Sequence, residues 1–219
     1  YRISLENKRM LENGSLEEAA DARDGELFAD EIVRFAPRRL SMEPGGRQTV
    51  RVSASTSGLE RGEYRSHLRI MAAPTSAGRR LESAAGPAQG DGISIDLIAI
   101  RSLTIPVIVR VGELGAEVDL DGASFVEASA ETPTLVARLK RTGDRSTYGD
   151  LQIFVDGQPE PLFAARGIAI YTPNRERDVI LPIPSDLRER LRGQRVRLAY
   201  LSSDPAAPGV IAETITELN

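Results

Sequence analysis

Short runs in which apolar and polar residues alternate dominate the first half of the chain, and they predict β-strands. Each run is bounded by Gly, Pro or Asn, residues that favour turns. In the second half, seven such runs follow one another at spacings typical of a β-sandwich. The predicted strands cover residues 1–7, 31–35, 48–55, 64–72, 116–120, 134–140, 151–155, 163–171, 178–183, 195–201 and 210–216.

Three other segments have different patterns. Residues 15–30 are acidic and alanine-rich, which favours a loop or a short surface helix between strands. Residues 74–92 are rich in Gly, Ala, Ser and Pro and predict a long loop. One helix is predicted at Ser185–Leu191, with Ser185 as its N-cap and Gly193 ending it.

The longest predicted strand runs from Gly92 to Arg110, and its pattern changes along its length. Its second part is apolar on both faces, which predicts burial in the chain's own core. Its first part alternates with a period of two, which places the apolar side chains on one face. Such a face ordinarily covers the protein's own core, so the periodicity alone does not indicate a partner. The apolar positions of the first part are Ile93, Ile95, Leu97 and Ala99.

Together these patterns predict an all-β protein made of two immunoglobulin-like β-sandwich domains, residues 1–111 and 112–219. The second domain has seven predicted strands and is expected to be complete. The first has only four strands before the long one, so a sandwich of the same type needs two more. We expect those strands to precede Tyr1; the alternative is that another molecule supplies them.

Composition and charge exclude several classes of function. The 219 residues carry a formal net charge of -4, which argues against a nucleic-acid partner. The chain has no cysteine, which excludes disulfides and thiolate chemistry. It also lacks the uninterrupted apolar run of about 18 residues that a membrane-spanning helix needs. A membrane-embedded segment is therefore not predicted.

No group of residues has the spacing of a catalytic or metal site. The one histidine, His67, lies in an alternating strand and is expected to face solvent or to have a hydrogen-bond partner. The sequence DLDG at residues 119–122 lacks the later ligands of a calcium loop and predicts a turn. Phosphate-binding and nucleophile motifs are absent, and no spacing singles out a pair of carboxylates. We predict no enzyme activity, no metal and no cofactor.

Three motifs follow one another in the first domain: FAPRRLSMEPGGRQTVRV at 35–52, GEYRSHLRI at 62–70 and IAIRSLTIPVIVR at 98–110. Their order resembles that of the periplasmic pilus-assembly chaperones of the chaperone–usher type. Three stretches of the second domain fit the same family more loosely. These are LVARLKRTGDRSTYGDLQIFVDG, IAIYTPNRERDVILPI and VRLAYLSSD.

The resemblance implies two immunoglobulin-like domains set at an angle, a periplasmic location, no cofactor and no catalysis. Members of that family hold pilus subunits, which are sandwiches that lack their last strand, until delivery to an outer-membrane usher. The chaperone adds its last N-domain strand to the open sheet of the subunit. Pilin-like subunits and a usher are then the expected partners, and self-association through the same strand is a further expectation. The side chains donated to the subunit would be Ile93, Ile95, Leu97 and Ala99.

The resemblance also implies two charged sites. In the family, an arginine at the end of the long strand joins the two domains; it corresponds to Arg110, with Glu63 and Asp204 as candidate partners. An arginine expected before Tyr1 and a lysine grip the carboxylate at the end of the subunit. Pro106 stands at the position of that lysine, and Arg101 is the candidate substitute.

A second interpretation belongs to a different class. Two sandwich domains also suit a secreted or surface module that serves adhesion or scaffolds an assembly. Such a module has no need to donate a strand.

Overall fold

The computed structural model describes residues 1–72, 100–126, 134–155 and 157–218, and these residues form fourteen β-strands and one α-helix. The all-β fold class is confirmed, while the assignment of each half to the immunoglobulin type stays a prediction. The strands of the N-terminal half are β1 Arg2–Glu6, β2 Lys8–Met10, β3 Leu16–Glu18, β4 Val33–Ala36, β5 Arg51–Ala54, β6 Gly62–Met71 and β7 Ser102–Val111. Those of the C-terminal half are β8 Ala116–Val126, β9 Thr134–Gly143, β10 Thr147–Val155, β11 Phe163–Ile170, β12 Glu176–Pro182, β13 Arg195–Ser202 and β14 Val210–Glu217.

The main sheet of the N-terminal half is antiparallel and has the strand order β1-β6-β7. Strand β6 is the central strand, and its ten residues pair with β7 from Gly62 opposite Val111 to Met71 opposite Ser102. Strands β4 and β5 form a second, two-stranded sheet, and β2 and β3 form a short hairpin. Beyond β1, the backbone of residues 38–40 runs alongside, where the Ile3 amide donates to the Arg38 carbonyl at 2.8 Å.

The two faces of β6 serve different parts of the molecule. Its even-numbered residues face a small apolar core built around Ala29, Val33 and Tyr64. Its odd-numbered residues include Glu63 and His67, which are buried although they are polar. Because successive side chains of a strand point to opposite faces, alternation in the sequence separates these two environments. The polar face lies against residues of the C-terminal half.

The C-terminal half consists of two sheets, with strand orders β11-β10-β13-β14 and β12-β9-β8. The two sheets enclose the largest core of the described chain. Its completely buried members include Leu135, Leu139, Leu151, Ile153, Leu198 and Tyr200. All seven strands expected from the sequence are present. Several of them extend beyond the expected bounds, because hairpin pairing continues past the point where the apolar alternation ends.

The helix α1, Ser185–Leu191, closes one side of this core with Leu187 and Leu191. Its bounds agree with the sequence prediction, but its N-cap does not. Pro184 is the capping residue and no side chain provides a capping hydrogen bond, so the assignment of Ser185 as the cap was wrong. Gly193 follows the helix with a φ of 68°, in the left-handed region that glycine tolerates.

Further expectations are corrected or lie outside the described residues. The sequence DLDG at residues 119–122, expected as a turn, lies within β8, where the pairing with β9 is irregular. The acidic segment 15–30, expected as a loop or a short surface helix, contains no helix; it contains the three-residue strand β3, paired with β2, and is otherwise loop. The long strand expected from Gly92 to Arg110 is observed from Ser102 onward as β7. Ile93, Ile95, Leu97 and Ala99 lie outside the described residues.

Candidate functional site

Strand β7 forms one edge of the N-terminal sheet. Among the described residues it pairs only with β6, so the backbone groups on its other side have no strand partner there. An edge of this kind is a ready template for another strand, and natural proteins usually shorten it, charge it or cover it. Here the edge is ten residues long. The main chain of β7 is therefore geometrically suited to strand addition.

The side chains of β7 that share a face with the apolar core change from exposed to covered along the strand. Leu103 is 58% exposed and Ile105 is 42% exposed. Val107 and Val109 are partly buried and pack against the core around Val33 and Tyr64. The sequence predicted that the whole apolar part of this strand would be buried, but burial begins only at Val107. The first half of β7 thus presents apolar side chains next to an open backbone edge.

Arg101 and Pro106 are both exposed. The Arg101 carbonyl accepts a hydrogen bond from the Ala72 amide at 2.9 Å, which extends the pairing with β6 by one step. Its guanidinium makes no ion pair with the described residues, and it is available to an anion. Pro106 lies opposite His67 on β6. Proline has no amide hydrogen to donate, and an edge strand is the place in a sheet where it is tolerated.

Arg110 and Glu63 are cross-strand partners on the other face of the same strand pair. The Arg110 Nε donates to a Glu63 carboxylate oxygen at 2.9 Å, and the Glu63 side chain is completely buried. The same carboxylate accepts hydrogen bonds from the Ser146 amide at 3.1 Å, from the Ser146 hydroxyl, and from the Thr172 hydroxyl at 3.3 Å. Glu63 therefore ties the central strand of the N-terminal half to two loops of the C-terminal half.

Asp204, the third residue suggested for this network, does not contact Arg110. Its carboxylate accepts a hydrogen bond from the Arg145 guanidinium at 3.5 Å, next to Ser146 in the chain. Of the two candidate partners of Arg110 that the resemblance implied, the structure thus brings Glu63 to the arginine and does not bring Asp204 to it. Sequence reasoning missed Ser146 and Thr172, because neither a turn serine nor a loop threonine has a pattern that predicts a distant carboxylate.

An apolar contact adjoins this polar network. Ile108 of β7 packs against Met10, Ala169 and Tyr171, so the two halves also share buried apolar surface. The Arg65 guanidinium lies 4.4 Å from the centre of the Tyr171 ring, a cation–π contact. It also donates to the Lys8 carbonyl at 2.9 Å. We call this set of contacts, from Glu63 to Tyr171, the junction.

His67 lies within the junction and is only 1% exposed. Its ring meets the Tyr171 ring edge-on, with the ring centres 6.1 Å apart. Neither imidazole nitrogen has a hydrogen-bond partner within the described part of the chain. The prediction that His67 faces solvent or has a hydrogen-bond partner was therefore wrong. Burial, helped by the nearby Arg65 and Lys8 charges and opposed by Glu6, lowers the pKa of His67 to about 4. The ring is therefore neutral at neutral pH.

This histidine predicts an acid-sensitive junction. The pKa of His67 is about 4 in the folded chain and has its ordinary value of about 6.5 in the unfolded chain. Between these two pH values the unfolded chain therefore binds more protons than the folded chain. The stability that the neutral ring contributes is complete above pH 6.5 and is lost as the pH falls toward 4. We expect the urea midpoint to fall over that window, and His67→Leu to show a flatter profile there. Equal slopes for the two proteins would contradict this.

A cavity of about 660 Å³ lies between the two halves beside the junction. Two of its three arginines already have partners: Arg61 pairs with Asp144, and Arg141 donates to the backbone carbonyls of Gly143 and Asn174. Over the described ranges, no cluster of three or more His, Cys, Asp or Glu residues has the arrangement of a metal site. No helix of the described chain has the length and apolar character needed to cross a membrane. The strand edge and the junction remain the features with a functional geometry.

Comparison with known proteins adds no relative: no family model matches the chain, and neither a curated protein nor a solved structure is significantly similar to it.

Proposed function

We propose that this chain is a periplasmic chaperone that caps pilin-like subunits through the free edge of β7 and passes them to an outer-membrane usher. The observation that carries the proposal is the edge itself. It combines an unpaired backbone over the described residues with the exposed side chains of Leu103 and Ile105. The order of sequence motifs supports the same function independently.

Strand addition would use both the free backbone groups of β7 and its exposed apolar side chains. Backbone hydrogen bonds along β7 would supply affinity for any open sheet, and the side chains on one face would select a subunit with a matching apolar groove. The four apolar positions predicted from the sequence, 93 to 99, have the same odd parity as Leu103 and Ile105. In the sequence pattern of period two, these positions form one series with Leu103 and Ile105, in which Arg101 is the one charged member. Arg101 is then suitably placed to bind a carboxylate of the subunit.

The junction contributes rigidity to this function. Arg110 is part of β7 itself and is bound to Glu63, whose carboxylate also accepts hydrogen bonds from Ser146 and Thr172, so the far end of the donated strand is linked to the C-terminal half. A strand held at one end loses less conformational freedom when it pairs with a partner, and this favours binding.

A co-purification experiment tests the proposal. The tagged chain is co-expressed with a pilin-like subunit encoded beside it. The same experiment is run with the double variant Leu103→Asp/Ile105→Asp, and with Ile215→Asp as a matched control. Ile215 is 57% exposed on β14, which is also an edge strand. Placing a carboxylate in an apolar groove is expected to lower subunit recovery about a hundredfold. The control is expected to recover the subunit like the unmodified chain.

Two results would contradict the proposal. Equal recovery with the double variant and the unmodified chain would exclude capture through β7, and Leu97→Asp then tests the row predicted from the sequence. A chain that binds no subunit at all, and whose gene has no usher gene nearby, would favour the structural or adhesion module.

A further inference from the structure

A second surface with unusual charge lies at the β1 edge of the N-terminal sheet, opposite the β7 edge. Four arginines line a cavity of about 470 Å³ there, together with apolar residues and a single carboxylate, Asp30. We call this set the arginine cluster; its members are Arg2, Arg34, Arg38 and Arg39.

None of the four guanidiniums makes an ion pair with a residue in the described part of the chain. Arg34 donates to the backbone carbonyls of Glu31 and Val33, and Arg38 lies over the Phe35 ring at 5.3 Å. Several arginines elsewhere in the described chain pair with carboxylates, as Arg9 does with Glu26 at 2.6 Å, whereas no member of the cluster does. The protein as a whole is acidic, with a net charge of -4. The cluster is therefore a local excess of positive charge that the fold does not neutralise.

The backbone holds two of these charges directly opposite each other. Arg2 and Arg39 face one another across an isolated antiparallel bridge, and both are exposed. Like charges placed directly opposite on neighbouring strands repel and destabilise the pair. An anion bound between the two arginines removes that repulsion, and guanidinium groups bind carboxylates with paired hydrogen bonds.

The floor of the cavity includes apolar side chains. Leu5 and Phe35 are partly exposed there, and Ile3 and Val33 beside them are 3% and 2% exposed and belong to the interior. Strand β4 supplies one wall, and among the described residues it pairs only with β5, so its outer backbone edge has no strand partner there. A ligand that uses all these features carries acidic groups, apolar groups and a free extended backbone.

We propose that the arginine cluster binds an extended acidic segment of a partner protein. Its carboxylates lie between the guanidiniums at the rim, and its apolar side chains pack against Leu5 and Phe35 on the floor. The cavity volume is within the range of sites that enclose several side chains. A small inorganic anion leaves the apolar floor uncovered, and a flat bilayer surface does not reach it. This site is independent of strand capture at β7.

Binding of a fluorescent peptide in which Glu and Val alternate tests this inference with the intact chain. The double variant Arg2→Gln/Arg39→Gln is compared with Arg166→Gln/Arg192→Gln, which removes two exposed arginines of the C-terminal half that make no ion pair within the described ranges. Because each arginine lost removes charge-assisted hydrogen bonds, the cluster variant is expected to weaken binding at least about tenfold. The control is expected to change it less than about twofold, and a matched Lys and Val peptide is expected not to bind.

Three other results of this experiment would contradict the proposal. Equal binding by the cluster variant and the control variant would overturn the proposal. So would full displacement of the peptide by inorganic phosphate, or tighter binding to phosphatidylglycerol vesicles than to the peptide. The variant Leu103→Asp/Ile105→Asp is expected to bind the peptide normally, so a failure of strand capture and a failure of this site are separable.

Discussion

Replacing Glu63 with alanine is expected to lower the free energy of unfolding by about 3 kcal/mol. The carboxylate is completely buried and accepts hydrogen bonds from Arg110, Ser146 and Thr172. Its removal leaves the Ser146 amide without its acceptor in a buried place. Arg110 is 40% exposed at its side chain and regains water, so the lost hydrogen bonds across the junction dominate the cost.

Urea unfolding measured by far-UV circular dichroism and by tyrosine fluorescence checks this expectation. The two signals report on the whole chain and on the surroundings of the tyrosines, including Tyr171, so a difference between them reveals separate unfolding of the two halves. Glu117→Ala, at an exposed carboxylate of β8 that makes no ion pair with any residue the structure describes, is the matched control and is expected to change stability by less than about 0.5 kcal/mol. Equal effects of the two substitutions would show that the buried carboxylate does not hold the halves together.

The second large effect is expected at Leu139, where substitution by alanine should cost about 3 kcal/mol or more. Leu139 is completely buried on β9, the central strand of its sheet, and belongs to the largest core. Deleting most of its side chain loses the burial of those atoms and leaves a cavity. A central strand has paired neighbours on both sides, so the surrounding backbone collapses into the cavity only partly.

The same urea titration measures this effect, with Ile180→Ala as the matched control. Ile180 belongs to β12 in the same sheet but is 49% exposed, so its truncation is expected to cost less than about 1 kcal/mol. A cost at Leu139 no larger than at Ile180 would mean that the C-terminal core is loosely packed.

The parts of the fold that local alternation determines could be predicted from the sequence. All seven strands of the C-terminal half and the helix Ser185–Leu191 were found, because each strand carries its own apolar face and Gly193 marks the end of the helix, although its cap was assigned to the wrong residue. The hairpin of β2 and β3 was missed. Its strands are only three residues long, and the acidic run at Leu16–Glu18 has no apolar alternation, so only pairing with β2 defines it.

The candidate site was predictable in part. The pairing of Glu63 with Arg110 was suggested by the resemblance, and the register of β6 with β7 places the two residues opposite each other. The partners Ser146 and Thr172 come from loops distant in sequence, and no local pattern specifies such contacts. The burial of His67 was missed for the same reason, because a strand's polar face is ordinarily assigned to water until its neighbour is known.

The different surroundings of the two faces of β6 limit the insertions and deletions that this strand can accept. Inserting or deleting one residue within β6 would exchange its two sets of side chains, sending Tyr64 toward the C-terminal half and Glu63 toward the apolar interior. The apolar core and the junction would then be disrupted together. We therefore expect changes of length only in the loops on either side of β6. The fixed number of residues from Gly62 to Met71 determines both the packing of the N-terminal half and its contacts with the C-terminal half.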